Sequence, residues 1–256
     1  MVFAAETDSG ALQPRSPPPP ATGPGAERQN FPCVTLPLKV VNVSPKGRTS
    51  PVEKLTTSPL PRHSLAAPVV AHLERFAAET ARVPAEISVI DVGCGRGKAS
   101  AIVRERGFQV LGFDVAEDRI SEASANYPSI RFDVFSGYEN IRERYGPQDA
   151  IVSFEVVEHL YDPAAFAARV HEALKPGGLM VLTTPYHGYF KNLAISLLNQ
   201  WDDHHMSLRL HSHIKFFSPR TVRTLLETAG FTDLRFGSVG RIPGLAKSMV
   251  VAARHP

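Results

Sequence analysis

The sequence predicts an α/β domain with a mainly parallel sheet, preceded by a Pro-rich tail that has no core of its own. Three observations carry this. From about residue 65 onward, short apolar runs alternate with helical patterns, and strands separated by helices imply right-handed crossovers and parallel pairing. The run Ile87-Ser88-Val89-Ile90-Asp91-Val92 breaks into alternating glycines at Gly93, Gly95 and Gly97 and is followed by a helix-compatible segment, the signature of a strand, a tight turn and a helix start. Residues 1–64 contain Pro17-Pro18-Pro19-Pro20 and few clustered large apolar side chains, so this stretch cannot bury enough surface to offset its chain entropy. It is expected to be disordered, with Val40–Val43 at most a short strand; the domain is expected over 65–256.

A helix is expected from Pro68 to about Ala81, because Val69, Val70, Leu73 and Phe76 fall on one face. Strand Val89–Val92, helix Gly97–Arg106, strand Gln109–Asp114 and helix Ala116–Asn126 follow. Strands Ile130–Val134 and Ala150–Phe154 come next, then helix Pro163–Leu174 with Asp162-Pro163 at its start and strand Leu179–Thr183. A late helix over Pro219–Ala229 leads into strands Thr232–Phe236 and Ser248–Ala253. Between them, about 184–217, lies an insertion with an apolar helix over Leu193–Leu198, expected to form a lid.

Composition narrows the function classes. The 256 residues are 43% hydrophobic, enough for one domain plus an appendage. Apolar residues never run for the roughly twenty needed to span a bilayer, and the acids and prolines at the N-terminus are unlike a secretory leader, so a cytoplasmic location is expected. Two cysteines, Cys33 and Cys94, offer no disulfide framework; Cys94 reads as a small turn residue. The net charge of +3, with Lys and Arg dispersed, gives no nucleic-acid footprint. The oligomeric state is not set by the sequence.

Glycines at alternate positions let a backbone turn with positive φ and approach a ligand closely, while the N-terminus of the next helix attracts an anionic group. A dinucleotide-binding turn has Gly-x-Gly-x-x-Gly, whereas here Asp91 stands two residues before Gly93-x-Gly95-x-Gly97. This pattern resembles motif I of the class I S-adenosylmethionine-dependent methyltransferases. Val110-Leu111-Gly112-Phe113-Asp114 resembles that family's second strand with its terminal acid, and Lys175-Pro176-Gly177-Gly178 resembles its turn into strand five. The resemblance spans most of Ser88 to Ala253. It implies a Rossmann-like seven-stranded, mostly parallel sheet with helices on both faces, a last strand running antiparallel, and S-adenosyl-L-methionine as cofactor. It further implies that Gly93, Gly95 and Gly97 border the methionine part of the cofactor, that Asp114 accepts the ribose hydroxyls, and that Asp133 and Val134 flank adenine. Asp91, which orients the turn, and Phe154, at the end of strand four, complete the cofactor set. The alternative for Asp114 is a cap on the following helix.

After strand four comes Glu155-Val156-Val157-Glu158-His159. Glu155, Glu158 and His159 converge if the segment turns helically. The motif resembles two metal-using branches of the superfamily, the ubiquinone-biosynthesis O-methyltransferases and the small-RNA 3′-terminal 2′-O-methyltransferases. In these the resemblance implies that Glu155, Glu158 and His159 bind a divalent cation, Mg or another, with help from a later histidine, His213. The alternative is a metal-free pocket in which the histidine faces the acceptor. The lid holds five of the ten histidines, His187, His204, His205, His211 and His213, beside Tyr186, Tyr189, Phe190, Trp201 and Phe216, a composition suited to stacking on an acceptor. His159, His187 and His213 are the candidate general bases. The sequence thus predicts methyl transfer to a small-molecule acceptor, with a hydroxyl oxygen favoured because an Asn/Asp-Pro-Pro-Tyr segment is absent after strand four. RNA 3′-end methylation, a non-catalytic cofactor-binding scaffold and a nicotinamide-dependent enzyme are the competing readings.

Overall fold

In a computed structural model of the chain, the structure describes residues 64–205, 212–240 and 246–256. The tail expected to be disordered, with Val40–Val43 and Cys33, lies outside the described residues, as does His211 of the lid.

Seven strands form one sheet in the order β3-β2-β1-β4-β5-β7-β6. They are β1 (Ser88–Val92), β2 (Gln109–Asp114), β3 (Arg131–Val134), β4 (Gln148–Phe154), β5 (Leu174–Pro185), β6 (Thr232–Val239) and β7 (Ser248–Arg254). The first five are parallel to one another, and β7 runs antiparallel between β5 and β6. The expected Rossmann-like class and the antiparallel last strand are both present.

The helices are α1 (Ala66–Glu79), α2 (Lys98–Glu105), α3 (Glu117–Asn126), α4 (Ile141–Tyr145), α5 (Pro163–Ala173), α6 (Tyr189–Leu197), α7 (Trp201–His205) and α8 (Pro219–Thr228). The period of two along the central strands divides the core. Ile90, Val92, Ile151, Met180, Leu182, Met249 and Val251 pack with Phe166 and Val170 of α5 and Val222 and Leu226 of α8. Their neighbours Val89, Ala150, Val152, Val181 and Val250 pack with Val69, Val70, Leu73 and Phe76 of α1 and with Ile102 and Val103 of α2. Strands buried on both faces read as continuous apolar runs, which is why β1, β4, β5 and β7 are easy to recognise in the sequence.

Local chemistry sets the helix starts. Asp162 accepts from the Ala165 amide at 2.9 Å with Pro163 in the first turn of α5, and Ser218 and Thr221 form a reciprocal capping box ahead of α8. At the amino ends of β1 and β4, the buried Asp149 carboxylate takes hydrogen bonds from Arg82 (2.6 Å), Lys175 (2.9 Å) and the Ser88 amide (3.0 Å). Burial alone would raise its pKa, but these bonds outweigh burial and hold the carboxyl well below the usual range.

Three boundaries differ from the sequence reading. The Lys175–Gly178 segment is not a free turn: strand β5 already begins at Leu174, and between the pairs Gln148↔Leu174 and Ala150↔Leu179 it bulges. There the Gly177 amide donates to His255 O and the His255 amide to Gly178 O. The short helix α4 has Ile141 as its one buried residue, too little for an apolar period, and was not expected. The lid folds as two helices, α6 and α7, where one was expected.

Candidate functional site

The glycine turn leaves the carboxyl end of β1, where ligands of open α/β sheets collect. Gly93 has φ +73°, and a Cβ there would lie 2.4 Å from Val156 Cγ2, so the turn packs too closely against the segment after β4 for any side chain. Gly95 differs: φ is +53°, yet a Cβ would meet nothing within 4 Å. Its open side is a cradle that the protein itself does not fill. Gly97 caps α2. Cys94 is buried, and burial pushes its thiol well up, in keeping with a turn residue and not a reactive thiolate.

Asp114 ends β2 and is buried. Its Oδ2 accepts from the Gly95 amide at 3.0 Å and its Oδ1 from the Ala116 amide at 2.9 Å. One carboxylate therefore ties the glycine turn to the start of α3, and each oxygen keeps a lone pair for a further donor. Asp91 is fully buried; Ser100 Oγ of α2 donates to its Oδ2 at 2.6 Å, while Oδ1 has no partner among the described residues. Burial raises its pKa to about 7, with the Ser100 bond opposing and Asp114 adding to the rise. At the end of β3, Asp133 is ion-paired with Arg131 at 2.6 Å, Val134 is exposed and pairs in register with Asp114, and the Phe135 amide donates to Asp114 O. Phe154 is half-buried at the end of β4 opposite Thr183.

Immediately beyond β4 the chain makes one tight turn, Val157–His159. The Glu158 carbonyl accepts from both the Ile214 and Lys215 amides at 3.0 Å, and His159 Nδ1 lies 3.3 Å from Ser212 O. These bonds hold the segment leading to α8 against the turn and bring His213 within reach: its Nε2 is 4.0 Å from Glu158 Oε1, and its ring centroid is 4.9 Å from that of His159. One donor atom from each of Glu158, His159 and His213 lies within 4.8 Å of the others. Glu158 is almost fully buried; Thr184 Oγ1 donates to its Oε2 at 3.0 Å, and Oε1 has no hydrogen bond. Burial first, and then the neighbouring Glu155, push its carboxyl up to about 8.

Glu155 stands apart from that trio. Its φ is +54°, its amide donates to Thr183 O, and its Oε2 takes a 3.4 Å bond from Ser248 Oγ. His187 is buried and stacks among lid rings, 5.1 Å from Phe216 and 5.8 Å from both His204 and His205. Burial, then Lys191, lower its pKa to about 4. The structure thus brings Glu158, His159 and His213 together, while Glu155, expected to converge with Glu158 and His159, lies outside that group against Ser248, and His187 lies in the lid. Sequence reasoning missed Ser100, Thr184, Ser248 and Val156. Ser100 sits nine residues after Asp91, one turn into α2, a spacing that was readable; Thr184 and Ser248 reach the acids only through strand pairing.

Residues 62–235 match the family model described as a methyltransferase domain. The chain belongs to this methyltransferase-domain family. The domain is 31% identical over 146 residues to a probable S-adenosylmethionine-dependent methyltransferase of Mycolicibacterium smegmatis, covering 56% of this chain and 51% of that protein. It is also 31% identical over 147 residues to the ubiquinone biosynthesis O-methyltransferase of Caulobacter vibrioides, covering 55% and 56%. The chain thus spans about half the length of these curated relatives. Among solved structures, the magnesium protoporphyrin IX methyltransferase of Synechocystis with bound SAM superposes on the methyltransferase domain with a TM-score of 0.54 at 17% identity, over 75% of this chain and 78% of that one. The Burkholderia thailandensis 1,6-didemethyltoxoflavin-N1-methyltransferase gives 0.54 at 21% identity, with the same coverage. Both share the fold. No helix among the described residues is long and apolar enough to cross a membrane.

Proposed function

We propose that the protein is an S-adenosylmethionine-dependent methyltransferase whose acceptor is a hydroxyl oxygen of a small molecule. The cofactor supplies an electrophilic methyl group, transferred by in-line displacement. The residues fit it: Gly95 leaves an open cradle, Asp91 Oδ1 is without a partner, and the Asp114 carboxylate has acceptor capacity left at the mouth of the turn. Gly93, Gly95 and Gly97 border its methionine part, Asp114 takes the ribose hydroxyls while holding the turn, and Asp91 with Ser100 keeps the turn in place. Asp133 is spent on Arg131, so Val134, with Phe154 across the pocket, is left to contact the adenine edge.

The observation that carries the hydroxyl acceptor is the convergence of one carboxylate and two imidazoles, Glu158, His159 and His213, within 4.8 Å at the same strand ends. This donor set fits a divalent cation of the Mn or Zn kind better than Mg, which prefers all-oxygen ligands, and Glu158 Oε1 lacks a partner where such an ion would lie. A bound cation supplies a lowered hydroxyl pKa. Thr184 holds Glu158 in place; in a metal-free site His159 or His213 would take the proton, whereas with a cation bound both would serve as its ligands. His187 is kept neutral by burial, which lowers its pKa to about 4, so it is the weakest base of the three histidines. The two lid helices exclude water during transfer. The net charge is only +3 with Lys and Arg dispersed along the chain, which favours a small acceptor over a nucleic acid.

The test is calorimetric titration with S-adenosylmethionine, S-adenosylhomocysteine and NAD, with and without EDTA, followed by transfer assays on hydroxyl acceptors. Binding of the first two, transfer to oxygen, and loss of any Mn or Zn stimulation in Glu158→Gln are expected. Binding of neither adenosyl compound refutes the cofactor, and turnover indifferent to chelator refutes the metal.

A further inference from the structure

Helix α6 faces solvent with its apolar side. At 3.6 residues per turn Tyr189, Phe190, Leu193 and Leu197 fall within an arc about 100° wide, and all four are exposed, Tyr189 by 75%, Phe190 by 68% and Leu197 by 76%. Ile195 is buried on the opposite side, with Lys191 half-buried beside it. A surface helix normally keeps its apolar stripe for the core and its charges for water; here the outward stripe carries no charge. Leu198 stands exposed just beyond α6, and Trp201, exposed by 53%, opens α7. The Trp201 ring is centred 4.2 Å from that of His205, which is centred 4.7 Å from that of Phe216, so the patch runs on to Phe216 and to Ile214, both exposed.

Of the thirteen large apolar side chains exposed among the described residues, these eight lie between 189 and 216, so the patch is local and not the scatter that every surface has. The four rings expose on the order of 500 Å², at about 200 Å² for a fully open ring, and the four aliphatic side chains bring the patch to roughly 800 Å². That exceeds the largest apolar patch of a typical monomer, about 300–600 Å², and matches the roughly 800 Å² that one partner contributes to a stable interface of standard size. Charge indicates which partner. Helix α7 has acids, Asp202 and Asp203, in its first turn and imidazoles, His204 and His205, in its last. Against a two-fold copy of itself, an antiparallel α7 brings each pair of acids to the other's imidazoles, the self-complementarity that an isologous interface needs. A lipid surface fits less well, because helices lying on bilayers carry Lys and Arg on their polar side and the two acids at the patch oppose an anionic leaflet.

We infer that this face is the interface of a homodimer: two copies of the chain pair through the outer sides of α6 and α7 about a two-fold axis, with the α7 helices antiparallel. Ile195 and His187, buried on the other side, stay with their own chain. Ile195 is the one buried residue of α6, so the helix has little core of its own to hold it at the carboxyl end of β5. The partner's copy of the stripe supplies the missing cover and fixes each lid from outside without taking a residue from the site.

Sedimentation velocity of the full chain over about 1–100 μM should show a species of twice 27.9 kDa. Emission of Trp201, the one tryptophan of the chain, should move to the blue as that species forms. Phe190→Glu/Leu197→Glu should weaken dimerisation by about a hundredfold or more and leave Trp201 emission independent of concentration. Phe190→Ser/Leu197→Ser reads the same shift should the glutamates disturb folding, and Val83→Glu, at a comparably exposed residue outside the patch, should leave the dimer as it is. Asp202→Asn/Asp203→Asn should weaken it by about tenfold. A full chain that stays a monomer at the highest concentration overturns the inference. Trp201 already shielded from acrylamide in that monomer would give the face to the chain's own residues, and shielding only on addition of phosphatidylcholine or phosphatidylglycerol vesicles would give it to a lipid surface. A dimer that survives both paired substitutions on α6 overturns the inference as well, and one indifferent to the loss of both acids overturns the antiparallel pairing of α7.

Discussion

Gly95→Ala separates the fold from the cofactor site. At φ +53° an L side chain costs about 1–2 kcal/mol, and because no protein atom lies within 4 Å of the new methyl, nothing is added for a clash. A loss of about 1–2 kcal/mol lowers Tm by roughly 2–8 °C in a domain of this size. The same methyl occupies the space where the ligand approaches, so S-adenosylhomocysteine affinity should fall by about a hundredfold, near 3 kcal/mol. Gly93→Ala is the comparison whose loss falls first on stability. Its methyl lands 2.4 Å from Val156 Cγ2, and overpacking of about 1–3 kcal/mol adds to the φ cost. Val156→Ala should relieve the overpacking part and leave the φ part. Thermal melts and calorimetry on the four proteins read both quantities. Unchanged S-adenosylhomocysteine affinity in a folded Gly95→Ala protein would refute the idea that the open side of this turn faces the cofactor, and additive losses in Gly93→Ala/Val156→Ala would refute the close contact.

Three further outcomes follow from the same structure. Asp114→Asn keeps one acceptor oxygen but turns the other into a donor against an amide, so a stability loss of about 1–3 kcal/mol should accompany weaker S-adenosylhomocysteine binding, and a deoxyribose analogue should narrow the gap between variant and parent. His187 has a pKa lowered to about 4 from 6.5; its stabilising contribution is therefore complete above pH 6.5 and is lost as pH falls toward 4, and His187→Phe should remove up to ~3 kcal/mol of the fall in unfolding free energy across that window, read by urea unfolding at each pH. Asp149→Ala leaves Arg82 and Lys175 without their carboxylate and the Ser88 amide without its acceptor; a loss of about 2–4 kcal/mol in urea unfolding is expected, with S-adenosylhomocysteine affinity retained because these groups lie at the opposite end of the strands from the glycine turn.

The fold was legible where burial leaves a periodic trace. Strands β1, β4, β5 and β7, apolar on both faces, and α1, with Val69, Val70, Leu73 and Phe76 on one side, are written in the order of residue types. Helix α4 buries only Ile141 and leaves no period to read. The Lys175–Gly178 segment has the composition of a turn, but the His255 amide and carbonyl, about eighty residues away, pair it into the start of the interior strand β5. Within the candidate site, the glycines and acids were visible because their types are restricted by φ and by charge. Ser248, Thr184 and Val156 were not, because what they touch is decided by register: Thr184 stands opposite Met249 and Pro185 opposite Ser248, and only that alignment puts a hydroxyl on each glutamate.

That alignment bears on how the acids do their work. Glu155 and Glu158 come from one turn, yet each is met by a hydroxyl from a different strand, Ser248 of β7 and Thr184 of β5. Glu158 reaches the two imidazoles because its own carbonyl holds the segment with His213 through two amides. Glu155, with φ +54°, gives its Oε2 to Ser248 of β7 instead. A single turn after β4 therefore sends its two carboxylates to two strands, Glu158 to β5 beside the histidines and Glu155 to β7 away from them. The positive φ at Glu155 belongs to this divergence, and it leaves Glu158 as the one carboxylate of the turn beside the imidazoles that handle the proton or the cation.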